Sequence, residues 1–221
     1  MDKDFLKELE AILFDFEGTL VDLQWNLAGA VQETVEMLKA SGFPISRIRS
    51  RKYSILMKEA MEMAPEMGRS PDEIKEKIGA IYDRYDEDAL TRWALRPNAK
   101  TFLSALKGNG MKTGLISNVG KRVLEKAIQK LNLQQLFNVV VTRNDVRSPK
   151  PSSEGILLAL NHIGVKKENA FFIGDSLDDV YAAKNASLRV IVILGGENPE
   201  PDLLTANPDF LINDFGEFLV L

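Results

Sequence analysis

Short apolar runs that alternate with helical patterns constrain the fold of this 221-residue chain more than any other feature. Runs rich in valine, isoleucine and phenylalanine predict buried parallel strands. Five runs are clear, at residues 11–16, 112–117, 139–142, 170–174 and 189–194, and a weaker sixth lies at 209–212. Helical patterns separate most of them, at residues 99–108, 121–131, 152–163 and 178–185. Alternation of this kind predicts an α/β fold built on a doubly wound, Rossmann-like parallel sheet.

The alternation is interrupted once, between the first strand and the second. Helical patterns occupy residues 26–40 and 47–63, and a third begins after Ser70-Pro71, a pair typical of helix starts, and runs to about Trp93. No strand pattern interrupts them. We therefore predict two domains, an α/β core formed by residues 1–23 and 96–221, and an inserted all-helical cap domain formed by residues 24–95.

Composition excludes several classes of function. The net charge of −4 does not favour a nucleic-acid partner. The absence of cysteine excludes a disulfide framework, a thiolate metal site and a thiol nucleophile. Neither a secretory signal nor a run of about 18 apolar residues is evident. We expect a cytoplasmic protein without nucleic-acid or membrane partners, as a monomer or a homodimer.

Polar side chains follow four of the predicted strands. Acids follow the first strand, in DFEGT at 15–19, and the fourth strand, in GDSLDD at 174–179. Ser117 and Asn118 follow the second strand, and Lys150 lies a few residues after the third. Each feature alone is explained by a helix cap, a turn or a solvated loop. Because ligands bind outside the carboxyl ends of the strands in such a sheet, the four together predict one site.

These motifs resemble those of the haloacid dehalogenase-like hydrolase superfamily, in particular its phosphoglycolate phosphatase-like members with a helical cap. The family signatures are an Asp-x-Asp-Gly-Thr loop, a serine or threonine, a lysine and a Gly-Asp-x-x-x-Asp stretch. Residues 15–19, Ser117, Lys150 and residues 174–179 match them, and the resemblance covers about residues 10–195. It departs at one position, because Glu17 stands where the family has aspartate.

The resemblance implies a Mg²⁺-dependent phosphatase that hydrolyses a small phosphomonoester. Asp15 would be the nucleophile, since a carboxylate can form an aspartyl-phosphate intermediate. Mg²⁺, which prefers oxygen ligands beside phosphate, would be held by Asp15, by Asp175 and by the carbonyl oxygen of Glu17. Asp179 would bind the ion through water. The Glu17 side chain would act as general acid and then as general base.

Donors to the substrate phosphate are expected from the loops after the first three strands. Lys150 would supply a positive charge and Ser117 a hydroxyl, and both count as catalytic residues. Neutral donors are expected from the first motif and from the start of a helix, at Phe16, Gly18, Thr19 and Asn118. The expected partner is a small phosphorylated metabolite, with phosphoglycolate or another phosphorylated acid or sugar as the leading substrate class.

Glu17 leaves alternatives open. Its side chain is one methylene longer than aspartate, and a misplacement of about 1 Å can cost ~10²-fold in rate. The protein could be a fully active phosphatase, a slow hydrolase or phosphotransferase whose intermediate persists, or a regulatory protein that binds phosphate without turnover. A 2-haloacid dehalogenase is a further alternative. It is disfavoured because those family members lack the acids found here at Asp175 and Asp179.

A basic cluster, RIRSRK at residues 47–52, also has two interpretations. Its side chains could bind the anionic tail of a substrate. Alternatively, they form one solvated face of the helix predicted over residues 47–63. The sequence does not decide between the two.

Overall fold

A computed structural model describes residues 9–219 of the chain. It divides the chain into two compact units. One unit contains the chain up to Gln24 and from Trp93 onward, and the other is Trp25–Arg92. None of the helices in the described residues combines the length and the apolar character that crossing a bilayer requires.

The unit Trp25–Arg92 is built from helices. They are α1 (Leu27–Ala40), α2 (Tyr53–Met63) and α3 (Pro71–Leu90). Each helix contributes one apolar face to a common core, in which Leu38, Leu56 and Ile78 are fully buried. Trp25 packs on this core, with its ring 5.2 Å from that of Tyr82.

The predicted helix over residues 47–63 is wrong in its first part, because α2 begins only at Tyr53. The Glu59 carboxylate accepts hydrogen bonds from the Arg49 backbone N–H at 2.8 Å and from its guanidinium Nε at 2.6 Å. A side chain from the second turn of α2 therefore fixes the preceding segment outside the helix. The local pattern of apolar residues contains no sign of this long-range contact.

Two arginines of the basic cluster pair with acids of their own unit. Arg49 binds Glu59, as described above, and Arg47 binds Glu66 through two hydrogen bonds of 2.5 and 3.1 Å. These pairs favour a structural role over substrate binding for both residues, but neither residue lies on the predicted helix face, because α2 begins at Tyr53.

The other unit contains a sheet of six parallel strands in the order β3-β2-β1-β4-β5-β6. The strands are β1 (Ala11–Phe14), β2 (Lys112–Ser117), β3 (Val139–Thr142), β4 (Ala170–Gly174), β5 (Arg189–Ile193) and β6 (Phe210–Ile212). The strand order reverses between β1 and β4, which is the arrangement of a doubly wound sheet. The predicted fold class is confirmed, and the weak sixth run is a strand.

Helices pack on both faces of the sheet. They are α4 (Ala99–Gly108), α5 (Lys121–Lys130), α6 (Glu154–Ile163), α7 (Leu177–Asn185) and α8 (Glu200–Thr205). Side chains alternate along β1, so Leu13 joins the apolar core formed with α6 and α7. Phe14 points to the opposite face, where its ring lies 6.2 Å from both Phe102 of α4 and Phe215.

The reversal of strand order positions the candidate site. The neighbouring strands β1 and β4 end at the same edge, with Phe14 opposite Ile173 in the register. The backbone N–H of Asp15 extends this pairing by donating to the carbonyl oxygen of Ile173 at 2.9 Å. Asp15 and Asp175 therefore leave the sheet on either side of the switch point, where such sheets bind ligands.

Candidate active site

Lys150 joins two carboxylates that come from distant parts of the chain. Its Nζ lies 2.5 Å from Asp15 Oδ1 and 2.6 Å from Asp179 Oδ1, and all three side chains are buried. Burial by itself would lower the pKa of Lys150, but the charges of Asp15 and Asp179 outweigh it and raise that pKa above its ordinary value. Lys150 is therefore a fixed cation between two acids.

Three buried carboxylates form a group that could hold a metal ion. Asp15, Asp175 and Asp179 each offer an oxygen, and these atoms lie within 4.8 Å of one another. Burial raises the pKa of Asp15 to about 6, against the opposing charge of Lys150. Burial and the nearby charges of Asp179 and Asp15 raise the pKa of Asp175 well above its usual value.

Burial is the main cause of both carboxylate shifts, and the negative charge of Asp179 adds to it. Three ionised carboxylates against one ammonium group leave two negative charges in a region shielded from water. A divalent cation would balance them. All the possible ligand atoms in this group are carboxylate oxygens, and hard cations such as Mg²⁺ and Ca²⁺ prefer oxygen ligands. The residues therefore fit a hard divalent ion.

Asp175 is held by the loops on either side of it. Its Oδ1 accepts a 2.6 Å hydrogen bond from the Thr19 hydroxyl, and its Oδ2 accepts a 2.7 Å hydrogen bond from the Glu197 backbone N–H. Gly18 and Gly196 pass so close to this carboxylate that a Cβ on either glycine would overlap it. Thr19 and Gly18, predicted as substrate-binding residues, thus also fix the position of Asp175.

Asp179 both caps a helix and binds Lys150. Its Oδ2 accepts from the backbone N–H of Asp175 at 3.1 Å, and from the N–H and hydroxyl of Ser176 at 3.0 and 2.7 Å. Ser176 completes a capping box at the start of α7. Oδ1 of the same carboxylate binds Lys150. Helix capping and a place in the site are therefore compatible roles, divided between two oxygens.

The residues after β2 complete this side of the site. Ser117 is buried, and its Oγ accepts from the Val119 N–H at 3.1 Å. Asn118 clamps the backbone of Lys150, since its Nδ2 donates to the Lys150 carbonyl at 3.2 Å and its Oδ1 accepts from the Lys150 N–H at 3.1 Å. Buried Arg143 in turn donates to the Asn118 carbonyl at 2.7 Å. The sequence does not reveal this clamp.

Residues 12–193 match the model of a family described as haloacid dehalogenase-like hydrolase. The chain belongs to this family. The predicted membership and the assignment as a hydrolase are therefore confirmed.

Named relatives and solved structures are similar over nearly their whole length. The phosphoglycolate phosphatase of Salmonella typhimurium is 29% identical, over 98% of this chain and 93% of its own. That of Photorhabdus laumondii is 28% identical, over 97% and 92%. A structure from Bacteroides fragilis, assigned to the haloacid dehalogenase-like hydrolases, has a TM-score of 0.71 at 21% identity and covers 95% of this chain and 99% of its own. Its likeness shows the shared fold.

Glu17 is the position at which this haloacid dehalogenase-like hydrolase departs from the family motif, and its carboxylate is bound by two N–H groups. Its Oε1 accepts from the indole Nε1 of Trp93 at 2.8 Å and from the backbone N–H of Gln24 at 3.1 Å. The Glu17 carboxylate is not part of the group formed by Asp15, Asp175 and Asp179 in the described residues.

A short antiparallel pairing brings these donors to Glu17. Val21 and Leu95 form a β-bridge, the Asp22 N–H donates to the Ala94 carbonyl at 3.0 Å, and the Arg96 N–H donates to the Leu20 carbonyl at 2.9 Å. Gln24 and Trp93 lie just beyond this pairing in their two segments. The third predicted helix runs to about Trp93, whereas α3 ends at Leu90 and leaves Trp93 in the α/β unit.

Arg96 ties together two loops of the site in this hydrolase. Its guanidinium donates to the carbonyl oxygen of Gly18 in the first motif and to that of Leu194 after β5. Both loops reach Asp175, through Thr19 and through Glu197. Arg96 belongs to no motif and lies 78 residues from its partner in the first loop, so the sequence gives no signal for this contact.

Proposed function

We propose that the protein hydrolyses small phosphomonoesters with the help of Mg²⁺, through a covalent phosphoryl intermediate on Asp15. The observation that carries this proposal is the position of the Lys150 ammonium group, within 2.6 Å of both Asp15 and Asp179 and beside the oxygen cluster that Asp175 completes. A nucleophile, a fixed cation and a site for a divalent ion thus occur together at the switch point of the sheet.

In the first step, an Asp15 carboxylate oxygen attacks phosphorus. The new O–P bond forms as the bond from phosphorus to the substrate alcohol breaks, and the leaving oxygen takes a proton from the Glu17 carboxyl group. Lys150 and the Ser117 hydroxyl stabilise negative charge on the phosphoryl oxygens. Mg²⁺ held by Asp15, Asp175 and Asp179 would offset the repulsion between the carboxylate and the phosphate.

In the second step, Glu17 acts as a base. It takes a proton from water, whose oxygen attacks phosphorus, and the bond between phosphorus and Asp15 breaks. Inorganic phosphate leaves, and both side chains return to their starting forms. General acid–base help of this kind is typically worth ~10²–10⁴-fold.

The relatives named as phosphoglycolate phosphatases support a small phosphorylated acid as substrate. A screen of small phosphorylated acids and sugars with Mg²⁺ tests the proposal, with Asp15→Asn as the blank. We expect turnover of at least one compound by the wild type. A folded protein that binds phosphate but turns over no compound would overturn the proposal in favour of a regulatory binding protein.

Chelation should abolish activity, and Mg²⁺ should restore it, because the Asp15, Asp175 and Asp179 carboxylates need a balancing cation. Mg²⁺ should also raise the melting temperature, since an ion bound only by the folded state stabilises it by about 2.7 kcal/mol at 100 times its Kd. Asp175→Asn should weaken both responses. Full activity in the presence of a chelator would contradict this prediction and would revive the dehalogenase alternative.

Gly18→Ala should lose both stability and activity. The backbone at Gly18 has a φ of +81°, and an added Cβ would overlap the Asp175 carboxylate. The left-handed conformation costs about 1–2 kcal/mol for a residue with a Cβ, and displacement of Asp175 should lower kcat/KM by at least ~10²-fold. Gly68→Ala is the matched control, since Gly68 has a φ of +67° with no atom within 4 Å of the added Cβ. Urea unfolding should show a loss for both variants, and phosphatase assays a loss for Gly18→Ala alone.

A further inference from the structure

The longer acid in the first motif is matched by a tryptophan outside every motif. We propose that Trp93 is a positioning residue for Glu17, which it holds by its indole N–H in the place where proton transfer requires the carboxylate. The inference rests on the proposed function and assigns a task to a residue that takes no part in the chemistry itself.

The contact between the two side chains is specific. The indole Nε1 lies 2.8 Å from Glu17 Oε1, and the same oxygen accepts from the Gln24 N–H at 3.1 Å. Hydrogen bonds to a charged acceptor are roughly twice as strong as neutral ones. Two N–H donors that converge on one oxygen define both the direction and the reach of the side chain.

Trp93 is itself held in place with respect to the nucleophile. It is 3% exposed, and its ring meets that of Phe16 edge to face, with the centroids 5.1 Å apart. Phe16 is fully buried and lies between Asp15 and Glu17 in the chain. The indole N–H is therefore fixed against the loop that carries the reacting carboxylate.

The extra methylene of Glu17 explains why such a partner is useful. Glutamate has one more rotatable bond than aspartate, and ordering a longer side chain costs more conformational entropy. An aspartate would end one carbon–carbon bond short of the indole. Glu17 reaches Trp93, and the hydrogen bond offsets the added freedom. Glu17 and Trp93 therefore work as a pair.

Four proteins test the pairing: wild type, Trp93→Phe, Glu17→Gln and the double variant. Phenylalanine keeps an aromatic ring against Phe16 and removes the N–H. We expect Trp93→Phe to lower kcat about tenfold on an alkyl phosphate. Glu17→Gln should lower it by ~10²–10⁴-fold, and the double variant should be no slower than Glu17→Gln alone.

A second substrate separates positioning from packing. Formation of the phosphoenzyme from p-nitrophenyl phosphate needs little help from an acid, because its leaving group is stable as an anion. Trp93→Phe should therefore form phosphoenzyme from this substrate at the wild-type rate in a rapid-quench experiment, and should form it more slowly from the alkyl phosphate. A general loss of packing would slow both substrates alike.

Trp25→Phe is the matched control, since the Trp25 indole N–H has no hydrogen-bond partner among residues 9–219. We expect this control to keep wild-type rates. If Trp93→Phe does not fold, the Trp25→Phe protein can be made with benzothienylalanine in place of tryptophan, which replaces the Trp93 N–H by sulfur in a ring of the same shape.

Like equal slowing of both substrates, two further outcomes would overturn the inference and leave the proposed function intact. One is a wild-type rate for Trp93→Phe on both substrates. The other is a loss in Trp93→Phe that multiplies with that of Glu17→Gln, because Trp93 would then act independently of Glu17. A wild-type protein that turns over neither substrate would instead refute the proposed function.

Discussion

Asp15→Asn should reduce phosphomonoester hydrolysis by at least ~10⁴-fold. An amide oxygen is too weak a nucleophile to form the covalent intermediate, and loss of a nucleophile in other enzymes costs up to ~10⁶-fold in kcat. The substitution preserves the size of the side chain, so the loss reports the missing carboxylate and not a change in packing. Steady-state assays on the best substrate of the screen measure it.

Asp178→Asn provides a control with the same chemical change. Asp178 lies in the fourth motif, next to Asp179, but it is not part of the group of three buried carboxylates. We expect its activity to stay within a few-fold of the wild type. Equal losses in the two variants would show that general charge near the site, and not a nucleophile, determines the rate.

The same Asp15→Asn variant should be more stable than the wild type at neutral pH without Mg²⁺. Burial raises the pKa of Asp15 from 3.8 to about 6 in the folded protein, so the ionised carboxylate destabilises the fold. The penalty is absent below pH 3.8, grows as the pH rises, and is complete above about pH 6. Urea unfolding of both proteins at pH 7 and at low pH should show the difference at pH 7 only.

The strands could be predicted from the sequence because parallel strands are covered on both faces. Such strands appear as continuous apolar runs, and all six predicted runs fall on strands. The helix predicted over residues 47–63 was wrong in its first part, because Glu59 draws Arg49 out of the helical path. Periodicity reports which face of a segment is buried. It does not report which distant side chain competes for the backbone.

In the candidate site, too, the local patterns could be predicted and the contacts between distant residues could not. The topology of the sheet predicts that acids and a lysine at strand ends lie close together, and the structure brings Asp15, Lys150, Asp175 and Asp179 together. The contacts that orient these residues could not be predicted. The Trp93 indole reaches Glu17 because the segment around Val21 forms an antiparallel β-bridge with the segment around Leu95. The longer acid at position 17 is a signal that a partner is useful, but it does not indicate which residue supplies the contact.

Lys150→Met should lower both activity and stability, in contrast to Asp15→Asn. Methionine keeps an unbranched apolar stem of similar length and removes the charge. Removal of one member of a buried ion pair typically costs about 3–5 kcal/mol, because the partners remain buried without compensation. Loss of a cation that stabilises a transferred phosphoryl group should reduce kcat/KM by at least ~10³-fold. Urea unfolding and steady-state assays measure the two effects.

Lys58→Met is the matched control for the loss of a lysine. Lys58 forms an exposed pair with Glu62 at 3.9 Å, and exposed pairs contribute about 0–1 kcal/mol. We expect this control to change neither property appreciably. An equal loss of stability in Lys58→Met and Lys150→Met would contradict the prediction.

Asp15→Asn should raise stability and Lys150→Met should lower it, because the buried site carries an excess of negative charge. Around Lys150 the described site holds more negative than positive charge, so removal of a carboxylate relieves repulsion and removal of the ammonium group increases it. Mg²⁺ should reduce the stability difference between the wild type and Asp15→Asn, because the ion stabilises the protein with the complete set of carboxylates more strongly. If Lys150→Met proved as stable as the wild type without Mg²⁺, the three carboxylates would not share one buried site, and the proposed chemistry would lose its basis.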